Sequence, residues 1–289
     1  MKACVYGNPT IDIIVREDGS KTVAYGGGSY YSSLPLLERG WSVEIYASFS
    51  PLVASHPIAK YIVKEQYSTR TNVFVLEYRG LTRSIRVLDQ APPLHSSYIH
   101  SDLCVSIVNP VLREVSIPLL KAIRSRAPIL ALDLQGFVRG LRGGSIVLEG
   151  GAEALYALEV ADIVHADIDE IAALYSKERF LSGVESIHRA LRGVLVITDR
   201  PSRFIVATSS GVKQLEIEED YVALDKTGAG DYFLASYTIH YIDHYEPIEP
   251  LYKAHQDTTR WLKARDSRMH RGSETPADQA RLKPPRRLA

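Results

Sequence analysis

Seven consecutive residues late in the sequence have the types and spacing that catalysis requires. They form the run Asp225-Lys226-Thr227-Gly228-Ala229-Gly230-Asp231. An apolar, strand-like stretch precedes this run and a helical pattern over 232–241 follows it, which predicts a turn from a strand into a helix. The first backbone N–H groups of a helix have no carbonyl partner and carry partial positive charge, so such a turn can bind an anion. Glycine has no Cβ, so an anion can approach the amides closely.

Phosphoryl transfer needs both groups that this run supplies. The developing charge on the phosphoryl group needs hydrogen-bond donors, which the amides of Gly228, Ala229 and Gly230 provide. The attacking hydroxyl needs a base, and the Asp231 carboxylate can accept its proton. The alternative is an ordinary glycine-rich helix start capped by an aspartate. The local sequence does not decide between the two interpretations.

The pattern D-x-T-G-A-G-D closely resembles the C-terminal signature of the ribokinase/PfkB carbohydrate kinase family. A second resemblance lies at Gly26 and Gly27, which match the two glycines of the family's N-terminal motif. Tyr31 stands where many members have Asn, and the paired tyrosines after the glycines are more similar to the archaeal inositol-kinase-like branch than to ribokinase. The resemblance extends over residues 3–263 and is most specific at the C-terminal signature.

The resemblance implies a three-layer α/β fold with a mostly parallel central sheet flanked by helices, plus a small β-sheet lid over the substrate. We expect the lid strands at about 12–25 and 71–90, where 72–78 and 82–88 alternate apolar and polar residues as half-buried strands do. A strand–helix–strand pattern over 104–133 independently favours a parallel sheet. We therefore predict one kinase domain over 1–264 and a basic, proline-containing tail over 265–289.

The resemblance assigns the acceptor side of the site to residues in the first half of the chain. Asp12 is expected to accept hydrogen bonds from substrate hydroxyls, although an acid between isoleucines on an alternating strand can also be an exposed strand charge. Gly26, Gly27 and Tyr31 are expected to border the acceptor. The run D-x-Q-G-F-x-R follows a buried strand and is similar to the inositol-kinase-like branch, which makes Gln135 and Arg139 candidate substrate-binding residues.

The donor side is expected to bind ATP and Mg²⁺. In the family an N-x-x-E motif organises the waters around Mg²⁺ and the ATP phosphates. Glu170 matches its Glu, and Asp167 replaces its Asn, which adds negative charge near the phosphates. Taken alone, either acid could simply cap the helix that starts here.

Further donor-side residues follow from the same resemblance. Thr198 is expected to contact phosphate, although the turn 199–203 after it lacks the glycine usual in the family. His255 is expected near the nucleotide on the last helix. Thr227 and Asp225 occupy positions that in some relatives bind a monovalent cation.

Composition limits the class of protein. The 289 residues include 34 basic and 34 acidic side chains and are 45% hydrophobic, which favours a globular protein with a small-molecule partner over one that binds nucleic acid or a membrane. Cys4 and Cys104 lie in apolar runs, so we expect buried free thiols in a reducing cytosol. No signal-peptide pattern or bilayer-spanning run is present, which predicts a cytoplasmic protein. The two Cys and two Met are a weak indication of a thermophilic source.

These observations predict an ATP- and Mg²⁺-dependent kinase that phosphorylates a hydroxyl of a small polyol or sugar, with a myo-inositol-like acceptor favoured. Three alternatives stay open. One is a ribokinase- or fructokinase-like sugar kinase, and another is a nucleoside kinase in which Tyr30, Tyr31 or Phe137 would stack on the base. The third is a non-catalytic sensor of the same fold that binds a sugar or nucleotide. We expect a monomer, or a homodimer that pairs through the lid.

Overall fold

The computed structural model describes residues 1–63, 66–79, 82–175, 183–184, 187–199, 202–218, 221–223 and 225–270. The part of the predicted tail from 271 to 289, and residues 200–201 of the predicted turn 199–203, lie outside these residues.

The strand–helix–strand pattern that the sequence predicts over 104–133 is present, and consecutive strands occur before it and after it. The strands are β1 (Lys2–Tyr6), β2 (Thr10–Val15), β3 (Lys21–Gly26), β4 (Ser42–Tyr46), β5 (Asn72–Arg79), β6 (Thr82–Asp89), β7 (Val105–Val108), β8 (Leu130–Asp133), β9 (Arg139–Arg142), β10 (Ser145–Leu148), β11 (Ile163–Asp167), β12 (Val194–Thr198), β13 (Arg203–Thr208) and β14 (Gly211–Glu216). The helices are α1 (Gly28–Glu38), α2 (Ile117–Arg124), α3 (Gln135–Val138), α4 (Ala152–Val160), α5 (Ile168–Ala172), α6 (Ala229–His244) and α7 (Glu249–His270).

The central sheet has eight strands in the order β14-β13-β12-β11-β8-β7-β1-β4. Strands β4 to β12 in this order are parallel, and β13 and β14 continue the sheet in antiparallel orientation. Both faces are covered. Along β1, Ala3 and Val5 join the core on the side of α1, α6 and α7, while Cys4 and Tyr6 join the core on the side of α2, α4 and α5. The predicted three-layer architecture is therefore confirmed.

A second sheet has six strands in the order β3-β2-β5-β6-β10-β9. The predicted lid strands lie in it, and β9 and β10, which the sequence pattern did not indicate, extend it. Phe74 and Leu76 on β5 form a small apolar cluster with Val111 and Leu112, which follow central strand β7. This cluster packs the second sheet against the carboxyl end of the central sheet. Pairing of two subunits through the outer strands stays a prediction.

The last described helix extends beyond its predicted end at residue 263. Trp261, Leu262, Arg265 and Asp266 are all buried, so the inward face of α7 continues past the point where the composition turns basic. The boundary predicted between domain and tail at residue 265 thus falls inside a packed helix, and Arg265 belongs to the folded domain.

The prediction of two free thiols is wrong, because Cys4 and Cys104 form a disulfide. Strand β1 pairs with β7 so that Ala3 lies opposite Val105, which places Cys104 next to Cys4 on the same face of the sheet. The two residues are separated by 100 positions in the sequence, and their Cα atoms lie 6.0 Å apart. Sequence spacing could not show that their strands are neighbours. Within the described ranges, none of the helices has the length and hydropathy of a bilayer-spanning segment.

Candidate active site

A cleft of about 870 Å³ opens between the two sheets. Asp133, Asp167 and Thr198, the last residues of β8, β11 and β12, line it, so it lies at the carboxyl ends of the central strands. Most of the predicted site residues also line the cleft, namely Asp12, Gly27, Tyr31, Gln135, Arg139, Asp167, Glu170, Thr198, Thr227, Gly228, Ala229, Gly230, Asp231 and His255. Gly26 and Asp225 lie behind this lining, in contact with Asp12 and Thr227 respectively.

The start of α6 has the backbone geometry expected of an anion cradle, the name used below for its backbone amides. Gly228 is the N-cap residue, with φ 80° and ψ 2°, a left-handed conformation that favours glycine. The amide of Tyr232 donates the first intrahelical hydrogen bond, to the Gly228 carbonyl at 2.9 Å. The amide of Ala229, expected in the cradle, donates instead to the carbonyl of Lys226 at 3.0 Å. The amides of Gly228, Gly230 and Asp231 are therefore the ones suited to an anion.

Tyr31 supports the cradle from the side of α1. A Cβ built on Gly228 would lie 2.2 Å from Cγ of Tyr31, so the ring packs directly on this glycine. Tyr31 in turn meets Trp261 of α7 edge-on, with ring centroids 5.9 Å apart. The tyrosine that replaces the usual Asn of the family thus forms part of the wall that holds the glycine-rich turn.

Asp231 lies in the first turn of α6 with its carboxylate in the cleft. Burial and the nearby charge of Asp133 raise the pKa of Asp231 to about 6, although a hydrogen bond from Asn109 and the charge of Arg139 oppose this shift. The Asn109 side-chain amide donates to Oδ1 of Asp231 at 3.0 Å. Asp231 is therefore largely ionised at neutral pH and is basic enough to accept a proton from a hydroxyl in the transition state.

Asn109 is a site residue that the sequence interpretation missed. It directly follows the last residue of β7, and polar residues at the carboxyl ends of such strands often contact ligands. It also donates to the Ser32 hydroxyl at 2.7 Å. A Cβ built on Gly28 would lie 2.3 Å from Oδ1 of Asn109, so the glycine that begins α1 leaves room for this amide.

The acceptor side of the cleft carries a second buried carboxylate. Asp12 is 5% exposed and accepts a hydrogen bond from the Thr10 hydroxyl at 2.8 Å, so its interpretation as an exposed strand charge is wrong. Gly26 pairs with Thr10 across β2 and β3, and a Cβ built on it would lie 2.4 Å from Oδ2 of Asp12, so a side chain at this position would displace the carboxylate. The second sheet covers this side with apolar side chains, which are Phe74, Leu76, Ile85, Ile146 and Leu148.

A buried His–Asp pair lies directly beneath the cradle, and the sequence did not reveal it. Nδ1 of His165 lies 2.7 Å from Oδ2 of Asp133, and both side chains are 5% exposed. A Cβ built on Gly230 would lie 2.9 Å from Cε1 of His165, so the imidazole is in contact with the cradle. Burial opposes protonation of His165, but its hydrogen bond with Asp133 and that carboxylate's charge raise its pKa overall.

Asp167 and Glu170 act as helix caps and as cleft residues at once. The Asp167 carboxylate accepts from the amide of Asp169 at 2.9 Å, and the Glu170 carboxylate accepts from the amide of Asp167 at 2.9 Å, which forms a capping box. Burial, followed by the charge of Asp133, raises the pKa of Glu170 to about 8. Burial likewise raises the pKa of Asp167. The crowded carboxylates at this edge would be stabilised by a bound cation.

These carboxylates fit a magnesium ion held through water. Oxygen ligands suit Mg²⁺, which keeps several of its waters in most protein sites. Within the described ranges, no three acidic or histidine groups of the cleft lie close enough together to ligate one ion directly. A magnesium ion that keeps its waters would need fewer direct carboxylate ligands than a closed protein cage provides.

Arg265 holds the loop before the cradle from behind. Its guanidinium donates to the carbonyl of Thr227 at 2.8 Å and to the carbonyl of Asp225, and it lies 3.8 Å from the Asp225 carboxylate. The same carboxylate accepts from the amide of Thr227 at 2.8 Å. The position expected to bind a monovalent cation through Asp225 and Thr227 thus receives positive charge from a side chain that the sequence interpretation had assigned to the tail.

Beyond the cradle the cleft continues along α7. His255 is buried and packs edge-on against Phe204 of β13, with ring centroids 5.5 Å apart. Tyr221, Ala223, Thr258 and Leu262 complete this largely apolar extension. By contrast Tyr30 and Phe137, proposed as stacking surfaces for a nucleoside, are core residues at 6% and 2% exposure.

No protein-family model matches the sequence, and no curated protein matches it by sequence. Solved structures are similar in fold. A pyrophosphate-dependent kinase in the ribokinase family, complexed with a pyrophosphate analog and myo-inositol, superposes with a TM-score of 0.77 at 19% identity over 91% of this chain and 95% of the other. Adenosine kinase from Schistosoma mansoni in complex with 2-fluoroadenosine gives 0.70 at 14% identity over 90% and 94%. Arabidopsis thaliana ribokinase complexed with ribose and ATP gives 0.65 at 15% identity over 90% and 92%. The chain therefore has the ribokinase-like fold, as its motifs predicted.

Proposed function

We propose that this protein is a phosphotransferase that uses ATP and Mg²⁺ to phosphorylate a hydroxyl of a small polyol or sugar. One observation carries the proposal. The helix end whose amides form the anion cradle also bears Asp231, a carboxylate with a pKa of about 6, and both line one cleft with Asp12. A protein that only binds a ligand has no need of a base at this point.

In the proposed reaction the residues divide between acceptor and phosphoryl group. Asp12 orients the acceptor by accepting hydrogen bonds from its hydroxyls, and Asp231 takes the proton of the hydroxyl that attacks phosphorus. The bond from phosphorus to the bridging oxygen of the donor breaks as the new bond forms. The amides of Gly228 and Gly230 stabilise the charge on the transferred group, an effect usually larger than that of the base.

The donor phosphates would lie between the cradle and the acids of α5. Mg²⁺ would be held there through water by Asp167 and Glu170, and it would neutralise the phosphate charge. Both carboxylates line the cleft on this side, which supports this assignment.

The shape and polarity of the acceptor side favour a polyol. Asp12, Gln135 and Arg139 offer polar contacts at its base, while the second sheet offers an apolar cover. The ribokinase-family kinase complexed with myo-inositol has the same fold, which supports a cyclic polyol as the first acceptor to test. A nucleoside is less favoured, because two of the three aromatic residues proposed to stack on its base are buried in the core.

Two donors have specific support. The apolar extension lined by Phe204, Tyr221 and Leu262 suits a flat nucleotide base, which favours ATP. Pyrophosphate is the second candidate, because Lys226 adds an exposed cation beside the cradle and one solved kinase of the same fold is pyrophosphate-dependent.

Ala223→Trp, which fills the extension, should abolish use of ATP while leaving use of pyrophosphate.

The test is a matrix of donors and acceptors. ATP or pyrophosphate would be supplied with myo-inositol, ribose, fructose or adenosine, and the phosphorylated acceptor would be measured directly.

Turnover should rise with pH around 6 as Asp231 ionises. Asp231→Asn should lower turnover by about 10²–10⁴-fold and leave donor affinity nearly unchanged.

The matrix also decides between the enzyme and the sensor. Thermal stabilisation by one of these ligands without any phosphorylated product would favour the non-catalytic sensor. Turnover by the Asp231→Asn variant equal to that of the unchanged protein would contradict the assigned mechanism.

A further inference from the structure

We propose that Arg265 is a positioning residue for the anion cradle, which it holds by binding the two carbonyls behind it. The inference rests on the proposed function, since it concerns how the cradle of that reaction is kept in place. Arg265 has not entered the proposed mechanism, because it lies on the far side of the loop from the cleft lining.

Arg265 is almost completely buried and bonded to the loop before the cradle. Its side chain is 10% exposed, and its guanidinium binds the carbonyls of Thr227 and Asp225 together. Its charge lies 4.6 Å from the centre of the Trp261 ring, which packs edge-on against Tyr31. Tyr31 contacts Gly228, so arginine, aromatic wall and loop form one continuous packed unit. A lysine, with a single compact charge, does not reproduce this planar, two-pronged contact.

The peptide geometry explains how a contact behind the loop acts in front of it. In a planar trans peptide the C=O and the following N–H point in opposite directions. The carbonyl of Thr227 and the amide of Gly228 belong to one peptide group, so binding the carbonyl toward Arg265 turns the amide away from Arg265, toward the cleft. Arg265 thereby fixes the direction of a donor that the bound phosphoryl group needs.

The positive charge of Arg265 also favours an anion in the cradle. The 3.8 Å contact with the Asp225 carboxylate balances the positive charge of the guanidinium only in part. A fixed positive charge close behind the cradle favours negative charge in the cradle, and burial reduces the screening of this interaction by water. Arg265 therefore supplies both orientation and a counter-charge to the proposed transition state.

The first experiment compares three variants. Arg265→Met removes the donors and the charge but keeps much of the volume, Arg265→Lys keeps the charge, and Arg260→Met is the control on the exposed side of α7. We expect Arg265→Met to lower kcat by about 10²–10³-fold, as for loss of one oxyanion donor, with little change in KM for the acceptor. Arg265→Lys should recover only part of kcat. Arg260→Met should leave kcat unchanged.

A second measurement does not depend on turnover. Inorganic phosphate would be titrated into the folded protein labelled with ¹⁵N, and the Gly228 amide resonance would be followed. We expect a shift of this amide in the unchanged protein and at least about tenfold weaker phosphate binding in Arg265→Met. Melting temperatures would be recorded for every variant, and Arg265→Lys replaces Arg265→Met if the latter does not fold.

The outcomes separate the two proposals. If the unchanged protein phosphorylates no acceptor but loses phosphate binding on Arg265→Met, the proposed function fails and the role of Arg265 stands. If Arg265→Met binds phosphate and turns over like the unchanged protein, the role of Arg265 is refuted. Full recovery of kcat in Arg265→Lys would likewise refute the need for a two-pronged contact.

Discussion

Asp231, the base of the proposed reaction, is held in the fold at a cost in stability. Its pKa is about 6 in the folded protein against 3.8 for an unperturbed aspartate, mainly because of burial. The folded state therefore favours the protonated form. Its contribution to stability is most favourable below pH 3.8 and is lost as the pH rises through about 6.

We therefore expect Asp231→Asn to stabilise the protein by about 1–2 kcal/mol at pH 7.5, because it removes a buried charge yet keeps an oxygen for Asn109 to bind. The gain should shrink toward zero near pH 4, where Asp231 is itself protonated. Denaturant unfolding at the two pH values measures the difference. Asp243→Asn, on the exposed side of the same helix, is the control, and a gain equal at both pH values would contradict this explanation.

At the scale of elements, the site depends on how closely α1 approaches the end of β7. Gly28 begins α1, and a Cβ there would lie 2.3 Å from Oδ1 of Asn109. Gly28 thus sets the distance between the first turn of α1 and the end of β7.

Gly28→Ala is expected to push Asn109 away from Asp231, because the new methyl group has no room. We expect a loss of about 1–3 kcal/mol in stability from overpacking, together with lower turnover. Gly151→Ala is the matched control, since nothing lies within 4 Å of a Cβ at that glycine. Unfolding and turnover of both variants would be measured, and equal effects would show that the contact with Asn109 is unimportant.

The sequence revealed those parts of the site that are contiguous in the chain. The run from Asp225 to Asp231 was identified because a glycine turn, a helix start and a carboxylate lie side by side. Asn109, His165 and Arg265 were missed because their roles depend on which strand ends and helices become neighbours in space. Arg265 was also assigned to the tail, since a basic composition suggests solvent while its burial depends on the packing of α7.

At the scale of the molecule, the disulfide joins β1 to β7 and closes a long loop. The residues are 100 positions apart, so the chain-entropy model gives a large effect on the unfolded state. We expect the Cys4→Ala/Cys104→Ala double variant to lose about 2–5 kcal/mol of stability. A phosphine reductant should lower the melting temperature of the unchanged protein and leave that of the double variant unaffected. Equal melting temperatures with and without reductant would contradict the prediction.

The helix that carries Arg265 is the last one described, whereas Asp12 and Gly28 belong to the opening strands and first helix. The proposed centre thus draws on residues that lie far apart in the sequence. During synthesis α7 would have to leave the ribosome before these residues could meet. A copy that stopped before α7 would contain the strands of both sheets but lack Arg265, so the proposed centre would stay incomplete.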